Sequence, residues 1–370
     1  MKNPSSTFTR RRFIGAAAGG AAGIAAASLL SASGVEASQA PASGLKHLAW
    51  VWQFNQDGEP EKIRSALAQN GLGIILKTHD GKTWMGKWDS SHLAVHGASQ
   101  VRAAASYFEE AGVPFHAWCV VKGKDPLGEA QMCAEVLANG ARSMVFDLEP
   151  PENGHYWQGR PEDALTFGRE LRKRAPNAWL SVAPDPRPWQ LKVVPVAEFA
   201  SFCNEIAPQT YWDLFNSSAN HRLLREYGHP PGPEGVTPES ILDVTQSALG
   251  RFNLPIRPIG SGKADRGSWA RFVDHAYRVG MDSVSIWRYG TCNPDVMPLL
   301  NEKKPPENQK PPEWPRRKRS LLSGLFGSRL IGGKVPTSRR DEDEEESEDS
   351  TSAPGRDRAS ESDETKEGRE

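Results

Sequence analysis

The stretch Met144-Val145-Phe146-Asp147-Leu148-Glu149-Pro150 reads as an apolar strand that ends in two carboxylates two residues apart. Side chains alternate between the two faces of a strand, so Asp147 and Glu149 should point to one side, opposite to their apolar neighbours. Two acids held side by side repel each other's charge, which raises the pKa of at least one of them. Such a pair suits general acid catalysis near neutral pH. The alternative is a solvated strand end whose acids cap the next helix or pair with Arg160.

Apolar or β-branched runs alternate with helical patterns over residues 45–301. The predicted strands are 48–54, 73–77, 114–121, 143–148, 178–183, 207–211, 255–259 and 283–287. The predicted helices are 60–69, 98–111, 128–137, 161–174, 196–206, 238–252, 269–279 and 293–300. Strands that alternate with helices predict a parallel sheet, and this number of units in about 250 residues predicts a single-domain (β/α)8 TIM barrel of the α/β class. The alternative is a doubly wound open sheet, but no Gly-x-Gly-x-x-Gly turn follows the first strand.

The beginning of the chain does not read as part of this domain. Residues 1–37 resemble a twin-arginine signal peptide, because Arg10, Arg11 and Arg12 precede an Ala- and Gly-rich stretch and small residues lead to a cleavage point after Ala37. We therefore expect contact with the twin-arginine export machinery and a location in the periplasm, at the cell surface or outside the cell. Without cleavage, residues 13–32 would be a membrane anchor, although their glycines make a poor span. We expect residues 38–44 to be a short linker.

The end of the chain, residues 302–370, has little to bury and is expected to be disordered. Residues 316–340 are basic and contain no acid, whereas the acidic part, 341–370, begins with six consecutive acids. A short amphipathic helix in the basic part would bind an anionic membrane or wall polymer and hold the protein at the envelope. The alternative is a solvated tail whose two halves attract each other. The net charge of −1 hides these extremes, and nothing indicates nucleic-acid binding.

Chemistry in such a barrel takes place at the carboxyl ends of the strands. The ends of the predicted strands place a polar and aromatic set of side chains at the same mouth as Asp147 and Glu149, and strand parity turns Asp185, Gln209, Tyr211, Asp213, Trp287 and Tyr289 inward with them. The set consists of Trp52, Lys77, His79, Asp80, Asp185, Gln209, Tyr211, Trp212, Asp213, Trp287 and Tyr289. Asp185 and Asp213 could each supply a second carboxylate to Glu149.

Aromatic side chains are frequent at this predicted mouth. The chain has 12 tryptophans against six tyrosines, and several tryptophans fall in loops after strands, where a core role is less natural. Flat rings bind the flat apolar faces of pyranose sugars, and their polar edges hydrogen-bond hydroxyl groups. The alternative is that these rings pack the loops or form the last layer of the core, an interpretation that applies above all to Trp52 and Trp118.

Three short motifs together carry a family resemblance. Asp147-x-Glu149, the run 208–212 (Pro-Gln-Thr-Tyr-Trp) and the run 285–289 (Ser-Ile-Trp-Arg-Tyr) follow each other on the predicted fourth, sixth and eighth strands. They resemble the (β/α)8 glycoside hydrolases grouped around the family 18 chitinases and the family 25 lysozymes. The resemblance implies that Glu149 is the general acid and that Asp147 orients or stabilises the substrate's 2-acetamido group during substrate-assisted cleavage. It also implies that Tyr211 supports that group and that Trp287 forms the floor of the subsite.

Departures from these families leave the activity open. The chitinase signature Asp-x-x-Asp-x-Asp-x-Glu needs acids at positions 142 and 145, where this chain has Arg142 and Val145. Family 25 enzymes have an aspartate in the first strand, whereas the first predicted strand of this chain, 48–54, contains no acid and the next acid after it is Asp57. We expect a glycoside hydrolase that acts on a polymer containing N-acetylhexosamine, such as peptidoglycan or chitin. The alternative is a catalytically inactive barrel that binds cell-surface glycans.

Other chemistries lack their sequence patterns. None of the nine histidines lies in a His-x-His or His-Glu-x-x-His context, and no Gly-x-Ser-x-Gly or phosphate-binding loop occurs. Cys119, Cys133, Cys203 and Cys292 form no Cys-x-x-Cys pair, so buried free thiols are expected. The patterns therefore predict no metal and no cofactor.

Overall fold

The computed structural model describes residues 47–151 and 154–303. The predicted signal peptide and linker lie outside the described residues, as does the predicted tail from residue 304 onward. Within the described ranges, no helix combines the length and the apolar character that a membrane crossing needs.

Strands and helices alternate along the described chain. The strands are β1 (Leu48–Val51), β2 (Gly73–Asp80), β3 (Thr83–Trp84), β4 (Phe115–Val120), β5 (Ser143–Leu148), β6 (Trp179–Pro184), β7 (Glu205–Ile206), β8 (Ile259–Ser261) and β9 (Ser285–Trp287). The α-helices are α1 (Phe54–Asp57), α2 (Pro60–Gln69), α3 (Ala98–Glu109), α4 (Pro126–Ala138), α5 (Pro161–Arg174), α6 (Pro188–Leu191), α7 (Val196–Phe202), α8 (Ser218–Glu226), α9 (Pro238–Leu249), α10 (Arg266–Arg278) and α11 (Val296–Glu302). Short 3₁₀ turns span Met85–Lys87, Gly250–Phe252 and Tyr289–Thr291.

Eight parallel strands form a closed barrel. Their order is β7-β6-β5-β4-β2-β1-β9-β8, and β3 pairs antiparallel to β2 outside this path. The segment after β7 closes the ring onto β8, because Ile259 donates to the carbonyl of Pro208 at 2.8 Å and Thr210 donates to the carbonyl of Ile259 at 2.9 Å. The predicted (β/α)8 barrel is confirmed, and the open doubly wound sheet is wrong.

Helix starts follow local signals in the sequence. Helices α2, α5 and α9 begin at prolines, whose missing N–H is not needed in the first turn. Helix α4 begins two residues earlier than predicted, because Asp125 caps it by accepting a hydrogen bond from the Gly128 N–H at 3.0 Å. Helix α8 was not predicted. Its start nevertheless has a local signal, because the Ser217 hydroxyl caps it by accepting a hydrogen bond from the Asn220 N–H at 3.3 Å.

The sixth barrel strand is shorter and earlier than the sequence predicts. The predicted helix 196–206 ends at Phe202, and Glu205 and Ile206 form β7. The predicted strand 207–211 is not a regular strand: the Ala207 and Gln209 N–H groups donate to the carbonyls of Val182 and Pro184 at 2.8 and 3.0 Å, and Gln209 forms an isolated bridge to Ile259. Pro208 has no N–H to donate, which interrupts the ladder at this point. Glu205 is buried and forms a salt bridge with Arg257 at 3.0 Å.

Strand β2 contains a bulge at Thr78. Lys77 pairs with Trp118 of β4, and His79 pairs with Cys119, the very next residue of β4, so Thr78 has no opposite residue. An extra residue exchanges the two faces for all that follow it. Lys77 therefore points into the barrel, while His79 points out toward the helical layer.

Two histidines are buried toward the amino-terminal ends of the strands. The Val284 N–H donates to Nδ1 of His47 at 3.1 Å, and the Tyr277 hydroxyl lies 2.9 Å from its Nε2. Nδ1 of His116 lies 2.7 Å from the Ser143 hydroxyl. Burial, opposed by backbone hydrogen bonds, lowers the pKa of His47 to about 4, and burial together with nearby arginine charges lowers that of His116 to about 3. Both rings are neutral in the folded protein near neutral pH.

Acidification should therefore destabilise the fold through these histidines. An unfolded histidine binds a proton near pH 6.5, whereas His47 and His116 in the fold do so only near pH 4 and pH 3. The free energy of unfolding should fall as the pH drops below that unfolded value, by about 1.4 kcal/mol per pH unit for each histidine. Above it, both states are neutral and these groups contribute no pH dependence.

Urea melts across the range from about pH 7 to about pH 4.5 would measure this slope. His116→Gln should reduce the proton uptake on unfolding by about one. A free energy of unfolding that does not vary over this range would contradict the expectation.

Candidate active site

A cavity of about 670 Å³ opens at the carboxyl ends of the strands. Asp147 and Glu149 line it together with Lys77, Asp80 and Gln209. Its aromatic lining consists of Trp50, Trp52, Trp118, Tyr156, Tyr211 and Trp287. The volume lies in the range of small-molecule sites, and an apolar wall with a few convergent polar groups is their usual composition.

The two acids of β5 meet at one amide group. Nε2 of Gln209 donates to Oδ1 of Asp147 at 3.0 Å and to Oε1 of Glu149 at 3.0 Å. Asp147 is 8% exposed and lies deeper in the barrel, whereas Glu149 is half-buried at the mouth. The alternation of the strand aims both carboxyl groups inward, as the sequence predicts.

Asp147 has a strongly perturbed acidity. Burial raises its pKa well above the usual value, and the charge of Glu149 and a hydrogen bond with it add to the increase. Lys77 opposes this increase with its positive charge. The pair therefore holds one proton at a pH where isolated carboxylates hold none.

Tyr211 stands beside the acid pair as a neutral phenol. Burial is the main cause that raises its pKa well above the usual value, and the negative charges of Asp147 and Glu149 raise this pKa further. A phenol that keeps its proton is a hydrogen-bond donor at the wall of the cavity.

Three tryptophans pack against one another and form an aromatic floor, defined by Trp50, Trp118 and Trp287, in which Trp287 is edge to face with the other two. The ring centroids lie 5.2 Å apart for Trp50 and Trp118, 5.7 Å for Trp50 and Trp287, and 5.5 Å for Trp118 and Trp287. Indole N–H groups of Trp50 and Trp118 bond to Ser285 and to the Val51 carbonyl, each at 3.0 Å, so both rings are held in place. Trp50 and Trp118 therefore serve the core and the cavity at once.

Charges at the mouth are arranged in compensated groups. The ammonium of Lys77 lies 3.1 Å from Asp80, and that of Lys122 lies 2.5 Å from it. Burial raises the pKa of Asp80, but the two ammonium groups outweigh it and hold that pKa below the usual value. Arg288 pairs with the buried Asp57, and its guanidinium lies 5.2 Å from the centroid of the Trp52 ring.

The other predicted site residues lie outside the cavity lining. Both oxygens of Asp185 accept from Nε of Arg187, at 3.0 and 2.9 Å. Asp213 is exposed and accepts from the Ser261 hydroxyl at 2.7 Å. Trp212 is buried and packs on Phe272, with ring centroids 4.8 Å apart. Tyr289 lies in the 3₁₀ turn after β9, with its hydroxyl 3.5 Å from the carbonyl of Lys62.

The sequence did not single out His155 and Tyr156, which line the cavity from the loop after β5. That loop is anchored by Trp157, which is 2% exposed and packs on Phe199 with ring centroids 5.3 Å apart. Loop residues show no hydrophobic periodicity, so the sequence pattern could not place these two side chains. The only signal was the long loop that follows the acidic strand.

No protein-family model matches the chain, and no curated protein matches it. Among solved structures, a glycoside hydrolase family 18 N-acetylglucosaminidase from Paenibacillus barengoltzii is similar with 11% identity and a TM-score of 0.49, over 70% of this chain and 99% of that one. The catalytic domain of a chitinase from Pyrococcus furiosus shares 12% identity with a TM-score of 0.44, over 70% and 94%. The spore cortex-lytic enzyme SleL of Bacillus megaterium shares 14% identity with a TM-score of 0.42, over 73% and 77%.

Replacing Glu149 should lower the pKa of Asp147. Burial is the largest cause of the raised pKa of Asp147, and the charge of Glu149 is the second. Glu149→Gln removes this charge and keeps the shape of the side chain. Carboxyl ¹³C shifts of aspartate-labelled protein, followed against pH, would report the titration of Asp147. Asp213→Asn, which removes an exposed acid outside the cavity lining, is the matched control and should leave that titration unchanged. A titration of Asp147 at the usual aspartate pH in the unaltered chain would refute the coupling.

Proposed function

We propose that this protein is a glycoside hydrolase in which Glu149 and Asp147 act on a polymer containing N-acetylhexosamine, such as peptidoglycan or chitin. The observation that carries the proposal is the joining of the two carboxyl groups by the Gln209 amide, 3.0 Å from each, in an aromatic-lined cavity. A proton held at such a pair is available for transfer to a leaving oxygen.

Position and acidity divide the roles of the two acids. Glu149 lies at the mouth and would protonate the glycosidic oxygen of the bound polymer. Asp147 lies deeper, where burial favours its protonated form. Gln209 holds the two carboxyl groups side by side, so that the proton donated by Glu149 stays within the pair until it is transferred.

The attacking group would be the substrate's own 2-acetamido oxygen, as the motif resemblance implies. It bonds to the anomeric carbon while the leaving oxygen takes the proton from Glu149, and water then opens the cyclic intermediate and returns a proton to Glu149. Tyr211 supports this scheme, because it remains a neutral donor at the cavity wall. Asp185 does not support a direct second carboxylate, since both of its oxygens are bound by Arg187.

The aromatic floor suits the apolar face of a sugar ring. Trp287 is half-buried, so part of its ring remains accessible while Trp50 and Trp118 fix its orientation. Rings held in place in this way offer contact area at a low cost in conformational entropy.

The proposal includes export. Cell-wall polymers and chitin lie outside the cytoplasm, and a twin-arginine signal in residues 1–37 would deliver the protein to them. The basic segment 316–340 would then hold the barrel near the anionic envelope.

Loss of the acid should abolish cleavage. Glu149→Gln should reduce the release of reducing ends from chitin oligomers or peptidoglycan by about 10³-fold, and Asp147→Asn by about 10²-fold, since one proton donor commonly contributes about 10²- to 10⁴-fold. Asp213→Asn should stay within about twofold, because this acid is exposed and outside the lining. Equal release by wild type and Glu149→Gln would rule the assignment out, and saturable glycan binding with no turnover would establish the inactive barrel instead.

Removing the half-buried ring of the floor should weaken substrate binding. Trp287→Ala should raise KM about tenfold, which corresponds to about 1.4 kcal/mol of lost stacking. Trp88→Ala, at a tryptophan that is 43% exposed and outside the lining, should leave KM unchanged. Trp287→Phe, which keeps an aromatic face, should fall between wild type and Trp287→Ala. An unchanged KM in a folded Trp287→Ala protein would contradict a sugar subsite there.

A further inference from the structure

We propose that His79, Cys119 and Cys133 form a buried binding site for one zinc(II) ion. The three side chains come from β2, β4 and α4, and their ligand atoms all lie within 4.8 Å of one another. Among the residues that the structure describes, this is the one group of His, Cys, Asp and Glu side chains with such convergence. It lies behind the barrel wall, on the outer face of β2 and β4.

The distances fit coordination to a single ion. Sγ of Cys119 and Sγ of Cys133 lie 3.8 Å apart, and Nε2 of His79 lies 3.5 Å from Sγ of Cys133. Two sulfurs at about 2.3 Å from a tetrahedral zinc stand about 3.8 Å apart, and a nitrogen at about 2.0 Å stands about 3.5 Å from a sulfur. Both observed separations match this geometry.

A second contact prepares the imidazole for metal binding. The Thr78 hydroxyl donates to the carbonyl of Trp118 at 3.3 Å, so its oxygen accepts from Nδ1 of His79 at 2.9 Å. The proton is therefore assigned to Nδ1, and Nε2 presents its lone pair to the two sulfurs. Metal-binding histidines commonly have such a second hydrogen bond, which fixes their tautomer and orientation.

Charge favours a divalent ion. The three side chains are at most 1% exposed. A zinc ion deprotonates coordinating thiols, and two thiolates with one Zn²⁺ form a neutral group that can be buried. A monovalent copper ion with the same thiolates would leave a net negative charge in the apolar layer.

The bulge in β2 is what creates the cluster. In a regular strand, with Thr78 paired in the ladder, His79 would have the same parity as Lys77 and would point into the barrel, away from Cys119 and Cys133. A metal bound here would fasten β2, β4 and α4 together directly behind Lys77, which lines the cavity. Because the site is buried, the ion would enter as the chain folds.

Metal content of the full chain, produced in zinc-supplemented medium and dialysed, tests the proposal. Elemental analysis should find about one zinc per chain, released to a chromophoric chelator only on denaturation. The zinc content of the Cys133→Ala variant should be less than about a tenth of this value. Cys203→Ala, at another fully buried thiol, is the matched control and should retain the zinc.

A second test uses the unaltered chain alone, refolded with and without metal, so its result does not depend on whether the variants fold. With Zn²⁺ the refolded protein should have a higher melting temperature than with a chelator, and with Co²⁺ it should show the visible bands of tetrahedral cobalt and a thiolate charge-transfer band. Identical melting with zinc and with chelator would overturn the proposal, as would zinc that survives Cys133→Ala, copper in place of zinc, or a disulfide between Cys119 and Cys133.

Discussion

The side-chain amide of Gln209 holds the two acids of the candidate site in one place, and the backbone around the same residue closes the barrel. Its Nε2 reaches Asp147 and Glu149 at 3.0 Å each, while its backbone bridges to Ile259 of β8. The geometry of the acid pair therefore depends on the ring being closed. An open sheet would leave Gln209 on a free edge and the two carboxyl groups with no common donor.

The sequence predicted the barrel well because its signals are local. Alternating apolar runs and helices that start at Pro60, Pro161 and Pro238 need only the properties of neighbouring residues. The inward orientation of Asp147 and Glu149 followed from strand parity in the same way. Their partner Gln209, about 60 residues away, was placed at the same mouth because parallel strands end together.

The sequence could not predict which side chains from distant elements contact one another, because tertiary packing decides those contacts. The bulge at Thr78 depends on the register with β4, and it decides which of the residues that follow enters the cavity. Asp185 and Trp212 both follow barrel strands, as the site residues do. However, Asp185 accepts a hydrogen bond from Arg187, and Trp212 packs on Phe272. Similarly, His79, Cys119 and Cys133 come together from three elements, so no spacing motif marks them.

The cations of the cavity already have acids as partners within the protein. Lys77 of the lining shares Asp80 with Lys122, which lies outside the lining, and Arg288 of the lining pairs with the buried Asp57. A neutral polymer can therefore enter without displacing counterions, and its association would vary little with ionic strength. Under the proposed function, selection of the substrate would then depend on ring shape and hydroxyl pattern more than on charge.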